Sequence, residues 1–188
     1  FTMSNVAPRG LPALPWLSAF PELNVRTYVT AGGKPGVYFF SLDASSSIAV
    51  EAARLAYKLP YFKAQIEFSA QGEALPLIEF NSHREDGRGP TPAHAHLRYR
   101  PEEGAAKPAA PGTQEHFLVE RYVLYAQDSD YQLWRARVEH QPYVIQKAEL
   151  LELDETLVWA AGIRRSDAVP LRHYAREVKV KIFPPEKV

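Results

Sequence analysis

Glu22, Asn24 and Arg26 occupy alternate positions of the segment FPELNVRTYV, and Leu23, Val25, Thr27 and Val29 fill the positions between and beyond them. A period of two puts the polar three on one face of a strand and the apolar set on the other. Such a face is either solvated or the wall of a polar lumen. In a lumen, a carboxylate, an amide and a guanidinium perturb one another's proton affinity and can hold a ligand. A carboxylate so placed is a candidate general acid or base, and an arginine suits the clamping of an organic acid.

Other residue types that carry chemistry are scattered. His94 and His96 lie two apart, so on a strand they point the same way. An H-x-H pair without a third ligand falls short of a zinc site, which takes three or four protein ligands, and no metal is expected. His140 and His173 are isolated in sequence, and each is a candidate general base or a hydrogen-bonded structural imidazole. In EHFLVERYVLYA, Glu120 adjoins Arg121; the aromatic density of the run marks it as mostly core. No G-x-S-x-G, P-loop or dinucleotide glycine fingerprint is present, so triad chemistry, nucleotide hydrolysis and a Rossmann cofactor have no support, and no cofactor is expected.

The elements that must position these residues can be read in order. Phe1 to Val6 alternates like a strand, and because the chain opens at Phe1 rather than Met, an N-terminal piece is expected to precede it. Ala7 to Pro15 carries three prolines and reads as a loop delivering Trp16, Leu17 and Phe20 to the core. The strand through Glu22 to Val29 and a second over Val37–Leu42 form a hairpin about the turn Ala31–Gly36. Asp43 or one of Ser45 to Ser47 caps a helix with an apolar face of Ile48, Ala52, Leu55 and Ala56, which Pro60 ends. Further strands are expected at Phe62–Ser69, Leu75–Asn81, Ala93–Arg100, Tyr131–Glu139, Gln146–Leu153 and Arg176–Phe183. Helices are expected at Gln114–Tyr125, where Val119, Val123 and the aromatics also suit a strand, and at Glu155–Ala161, closed by Gly162. Pro101 to Gly112 is a low-complexity loop. Eight or nine strands with polar/apolar alternation and about three short helices predict a mainly β (α+β) domain built on a closed or curled antiparallel sheet.

Composition bounds the function. A length of 188 residues, 46% of them hydrophobic, fits one globular domain. Lys+Arg and Asp+Glu balance at 22 each, which removes the electrostatic footprint of a nucleic-acid binder. With no cysteine there is no disulfide or thiolate chemistry, as suits a reducing compartment. No apolar run approaches the roughly 20 residues of a membrane helix. The expectation is a soluble cytoplasmic protein with no nucleic-acid or membrane partner.

The blocks RGLPALPWLSAFPELNVRTYV, GVYFFSLDA, ARLAYKLPYF, LRYRP and EHFLVERYVLYA resemble the YqjF-like family of uncharacterised bacterial proteins, over essentially all of Pro8 to Pro184. Members of that family carry several dozen residues ahead of the position of Phe1. The family is similar in turn to acetoacetate decarboxylase, which implies a curled antiparallel barrel or cone around a small-molecule cavity. That enzyme forms a Schiff base on a lysine beside a second lysine, directly after a proline at the end of a short helix. The matching proline here is Pro60, and Tyr61 and Phe62 follow it, so the nucleophile is replaced. Glu22 matches a carboxylate on the preceding strand, and an N-terminal arginine of the decarboxylase would fall ahead of Phe1. Lys63 shares a strand face with Tyr61 about 6.6 Å away, and either reaches the same cavity or joins a solvated row with Gln65 and Glu67.

Three functional classes follow. One is a barrel that binds a small organic acid or aromatic ligand without Schiff-base chemistry, with Arg26, Tyr28, Phe40, Lys63 and Arg98 as ligand contacts. The second is a lyase, isomerase or hydrolase on the same scaffold, with Glu22 as acid/base and Tyr61 beside it. The third is an interaction module with a filled interior. A buried Glu22 beside Tyr61 would favour the second, and a Glu22 open to bulk water would remove both versions of the site.

Overall fold

A computed structural model describes residues 2–3 and 20–188. Residue 1 and residues 4–19, with the expected proline loop, Trp16 and Leu17, lie outside the described residues; of the opening strand only β1 (Thr2–Met3) is described, paired with the start of β2.

The hairpin, helix and return strand expected from Phe20 to Phe62 form the centre of the fold. Strand β2 (Phe20–Ala31) turns at Gly32 and Gly33, both at positive φ, into β3 (Lys34–Ala44). Helix α1 (Ser47–Tyr57) follows, and β4 (Tyr61–Gln71) then runs parallel to β3 through Leu42–Tyr61, Asp43–Phe62 and Ala44–Lys63. A helical crossover is what a parallel neighbour requires. Ser46 caps α1, its hydroxyl accepting from the Ala49 amide at 3.3 Å. Asp43 is therefore not a cap. The inward helix face is also different from that expected: Ala49 and Val50 are buried and Ala53 and Tyr57 pack on the core, while Ile48, Ala52, Leu55 and Ala56 are exposed. Small side chains let the helix lie close to the sheet.

From β4 the chain forms an antiparallel run through β5 (Leu77–Arg84), β6 (His94–Pro101) and, later in sequence, β10 (Val144–Glu155). The exposed 101–112 loop contains the two-residue β7 (Lys107–Pro108), paired with β10. The expected helix over Gln114–Tyr125 is only α2 (Gln114–Val119), capped by Thr113, and the chain straightens into β8 (Val123–Gln127). The β-branched and aromatic residues Val123 and Tyr125 are satisfied there as strand residues, pairing with β3 and with β9 (Leu133–His140). Helix α3 (Leu157–Ala160), β11 (His173–Tyr174), β12 (Val180–Ile182) and β13 (Glu186–Lys187) complete the chain.

The thirteen strands among the described residues join one sheet, curled and open, whose main path runs β11-β10-β6-β5-β4-β3-β8-β9-β12. Its pairings are antiparallel except at β3, which meets both β4 and β8 in parallel. One core gathers Phe20, Val37, Leu42, Ala44, Val50, Leu59, Tyr61 and Leu124. A second joins Ala93, Ala95, Leu157 and Ala160 to Leu23, Val25 and Leu97. The strand reading of 22–29 is thus realised with its two faces in two different interiors. No helix among the described residues is long and apolar enough to cross a membrane.

At the start of the β3–β8 pairing, Gly36 packs so closely that an added Cβ would stand 2.5 Å from the Val123 carbonyl oxygen and 2.7 Å from the Tyr125 ring. Backbone cannot yield as a flexible side chain does. Gly36→Ala is expected to cost about 1–3 kcal/mol in urea denaturation. Gly87→Ala, which meets nothing within 4 Å, is expected to stay within about 0.5 kcal/mol.

Candidate functional site

Strand β2 presents Glu22, Asn24 and Arg26 on one face, and a bulge in β3 determines what faces them. The register passes from Val25–Ser41 to Arg26–Phe39, leaving Phe40 as the extra residue. Val37 and Phe39 thereby share a face with Leu42, and all three line a pocket with Glu22, Asn24 and Arg26. Leu59 and Tyr61 enter from the start of β4, Leu124 from β8, and Val138 and His140 from β9. Leu118 and Val119 of α2 and the following Arg121 also line it, as do Tyr143, Val178, Val180 and Ile182. The cavity volume is about 110 Å³, room for the equivalent of roughly eight waters.

The buried end is a carboxyl–phenol pair. Glu22 is 3% exposed and Tyr61 5%, so the solvated-face reading does not hold for Glu22. The Tyr61 hydroxyl donates to Glu22 Oε2 at 2.5 Å, and Asn24 Nδ2 donates to Oε1 at 3.3 Å. Burial raises the Glu22 pKa above the usual carboxylate range, partly offset by the hydrogen bonds from Tyr61 and Asn24. Burial, followed by the charge and hydrogen bond of Glu22, holds the Tyr61 phenol well above its ordinary value. The phenol keeps its proton and acts as a donor.

Basic and aromatic groups line the rest of the wall. Arg26 Nη2 donates to the Leu118 carbonyl at 3.4 Å, and the Tyr28 hydroxyl donates to the same oxygen at 2.9 Å. Arg121 lies over the Phe117 ring, 4.0 Å from its centroid, and 5.7 Å from that of Tyr28. His140 is stacked on Tyr122 and meets Tyr143 edge-on, with its ring nitrogens 2.8 Å from the Gln141 carbonyl and 3.2 Å from that of Arg121. The Glu120 carboxylate accepts from the Tyr122 hydroxyl and from the Tyr143 amide.

Of the residues singled out from sequence, the pocket brings together Glu22, Asn24, Arg26, Tyr61 and His140, with Tyr28 bonded to its wall. Phe40 is not in the lining, because the bulge gives its place to Phe39; it packs edge-on against Tyr38. Lys63 is also outside: its Nζ donates to the Ser45 carbonyl at 2.5 Å and its amide to Asp86. Arg98 lies on the outer face of β6, paired with Glu152 at 2.7 Å. His94 and His96 there contact Asp154 and Glu152, and His173 lies 4.0 Å from Glu115. Sequence reasoning missed Phe39 and Tyr143, and read Arg121 as part of a run that is mostly core. It named His140 as an isolated candidate base without placing it at the pocket, although His140 continues the Val138 alternation.

These features define a strand-rich protein whose curled, open sheet holds a pocket with a buried carboxyl–phenol pair at one end and arginines in its wall. The model of the DUF2071 family, described as an uncharacterized conserved protein, matches residues 1–179, and the chain belongs to that family. It is similar to the uncharacterized protein YqjF of Bacillus subtilis (strain 168), 39% identical over 187 residues that span all of this chain and 74% of the relative. Among solved structures, acetoacetate decarboxylase from Legionella pneumophila matches with a TM-score of 0.46 and 13% identity, over 90% of this chain and 64% of the other. The enduracididine biosynthesis enzyme MppR with HEPES buffer bound matches with a TM-score of 0.46 and 12% identity, over 87% of this chain and 59% of the other. The chain thus spans less than two thirds of either solved protein.

The elevated Glu22 pKa sets a pH dependence. The folded chain holds this proton more tightly than the unfolded one, so stability is drawn away as pH rises from about 4.5 toward the higher folded value. Glu22→Gln removes that cost. Its stability relative to the parent is expected to rise between pH 4 and pH 8, by about 1.4 kcal/mol per unit of pKa elevation. Urea melts at several pH values measure the difference, and a gap independent of pH would show that Glu22 ionises as freely when folded as when unfolded.

Proposed function

We propose that the chain binds a small organic acid in the pocket between β2, β3, β9 and α2, without a Schiff-base lysine. The observation that carries this reading is a cavity of about 110 Å³, lined mostly by apolar side chains, whose wall holds Arg26. Apolar lining from Val37, Leu42, Leu124 and Val138 favours a short hydrocarbon body, and the arginine favours an anionic head. The amine of Lys63 is committed to the Ser45 carbonyl outside the pocket, and Tyr61 stands where the resemblance implies a nucleophile. Differential scanning fluorimetry with short-chain and aromatic carboxylic acids tests the proposal. An acid at 100 times its Kd is expected to stabilise the parent by about 2.7 kcal/mol; a panel that leaves Tm unchanged would remove it.

A second reading, acid–base catalysis on the same ligand, is favoured by the elevated Glu22 pKa. Burial moves that carboxyl toward neutrality, where a group both gives and takes protons efficiently, and Tyr61 supplies a hydrogen bond to a developing negative charge. Exchange of carbon-bound protons of a bound carboxylic acid in deuterium oxide, followed by NMR, distinguishes the two. Catalysis predicts exchange that Glu22→Gln abolishes, whereas a binding protein leaves the acid unexchanged.

A further inference from the structure

Arg121 stands out among the guanidinium groups. Arg84, Arg88, Arg98, Arg100, Arg135 and Arg137 each meet a carboxylate, at 2.6–2.8 Å. Arg121 and Arg26 make no ion pair among the described residues, although both line the pocket. Arg121 Nη1 donates to the Glu120 carbonyl at 2.8 Å, but its Nε is buried with no hydrogen-bond partner. A buried donor on a charged group is costly to leave unmade, and an orphan in a native fold calls for a missing acceptor. The Glu120 carboxylate does not supply it, because that group is engaged by Tyr122 and Tyr143. The stacking on Phe117 occupies the face of the guanidinium and leaves its donors in the plane available, the geometry in which arginine takes a carboxylate through two parallel bonds. Arg26 lies 5.8 Å from the centroid of Tyr28, close to the distance at which Arg121 lies from it, and its own bond to Leu118 is long.

We infer that Arg121 is the carboxylate-recognising residue of the pocket, taking the anionic head of the ligand through its guanidinium, with Arg26 as the second cation beside Tyr28. This rests on the reading of the pocket as a site for a small organic acid, and adds the group that selects the acid over neutral molecules of the same shape. The ligand then lies with its carboxylate toward α2 and its other end toward Glu22 and Tyr61.

Titration calorimetry with butanoate and with butanamide, a neutral molecule of nearly the same shape, tests the assignment on the whole chain. The parent is expected to bind butanoate about 10-fold or more tightly than butanamide. Arg121→Met should bring butanoate down to the level of the amide while leaving butanamide within twofold. Arg121→Lys keeps the charge and the stem over Phe117 but loses the fork, and should fall between; it also serves as the test where the Met variant fails to fold. Butanoate affinity unchanged within twofold in either folded variant overturns the assignment, as does an equal loss of both ligands, the sign that Arg121 only shapes the pocket. Failure of the parent to bind either probe overturns the small-acid reading itself, and the assignment with it.

Discussion

Strand β3 is hydrogen-bonded to β2 along one edge for its full length, and its other edge is divided between β8 at Val37–Tyr38 and β4 at Leu42–Ala44. Two strands cannot occupy the same edge over the same residues, so β4 and β8 diverge and the sheet opens into a fork. The bulge at Phe40 lies between the two partners and changes which side chains fill that fork. Strict alternation would put Val37 and Phe39 on the same face as Ser41 and Asp43. With one residue inserted, they align instead with Leu42 and Ala44 and form the apolar wall opposite Glu22, while Ser41 and Asp43 are buried on the other side.

Two carboxylates near one another on this ladder enter different interiors, because Glu22 pairs with Ala44 and Asp43 with Leu23, on opposite faces. Asp43 meets Arg84 at 2.8 Å, in a pair that is essentially inaccessible and has Phe62 lying under the guanidinium. Even so, burial outweighs the arginine and lifts the Asp43 pKa to about 6, with the nearby negative charges of Asp86 and Glu22 adding to the rise. Glu22, across the ladder, takes hydrogen bonds from a phenol and an amide. Burial raises the pKa of both carboxyls, Asp43 in spite of its arginine, and of the two only Glu22 lines the pocket.

The fold was legible where a pattern depends only on neighbours along the chain: the alternation from Glu22 to Val29, the hairpin, the capped helix and the curled strand-rich sheet. It was not legible where a contact distant in sequence decides. In EHFLVERYVLYA the β-branched and aromatic residues suit a strand as well as a helix, and the pairing of Val123–Tyr125 with β3 and β9 decides between them. The face of α1 was misjudged because hydrophobicity ranks Ile48 and Leu55 above Ala49 and Ala53, whereas close approach to the sheet favours the smaller side chains. At the site, Glu22 and Tyr61 could be named because strand faces and a matched proline locate them. Arg121 reaches the pocket only through the fork, and a one-residue bulge at Phe40 has no signature in YFFS.

A phenol at the closed end of the pocket does different chemistry from an amine. A Schiff-base amine must be neutral to attack, so a site built around one depends on lowering an amine's pKa by desolvation or by a neighbouring cation. Tyr61 uses the same desolvation for the opposite end: burial and Glu22 both drive its pKa upward, which keeps the phenol protonated and unable to act as a nucleophile. Burial likewise raises the pKa of Glu22, and the hydrogen bonds of Tyr61 and Asn24 with the charge of Arg26 offset only part of that rise. The polarity of the pocket runs from a proton-retaining end at Glu22–Tyr61 to a cationic region at Arg26 and Arg121. On the proposed reading, a pocket so arranged would orient an acid by its charge and present the far end of that acid to the Glu22–Tyr61 pair, a pair suited to hydrogen bonding and proton transfer.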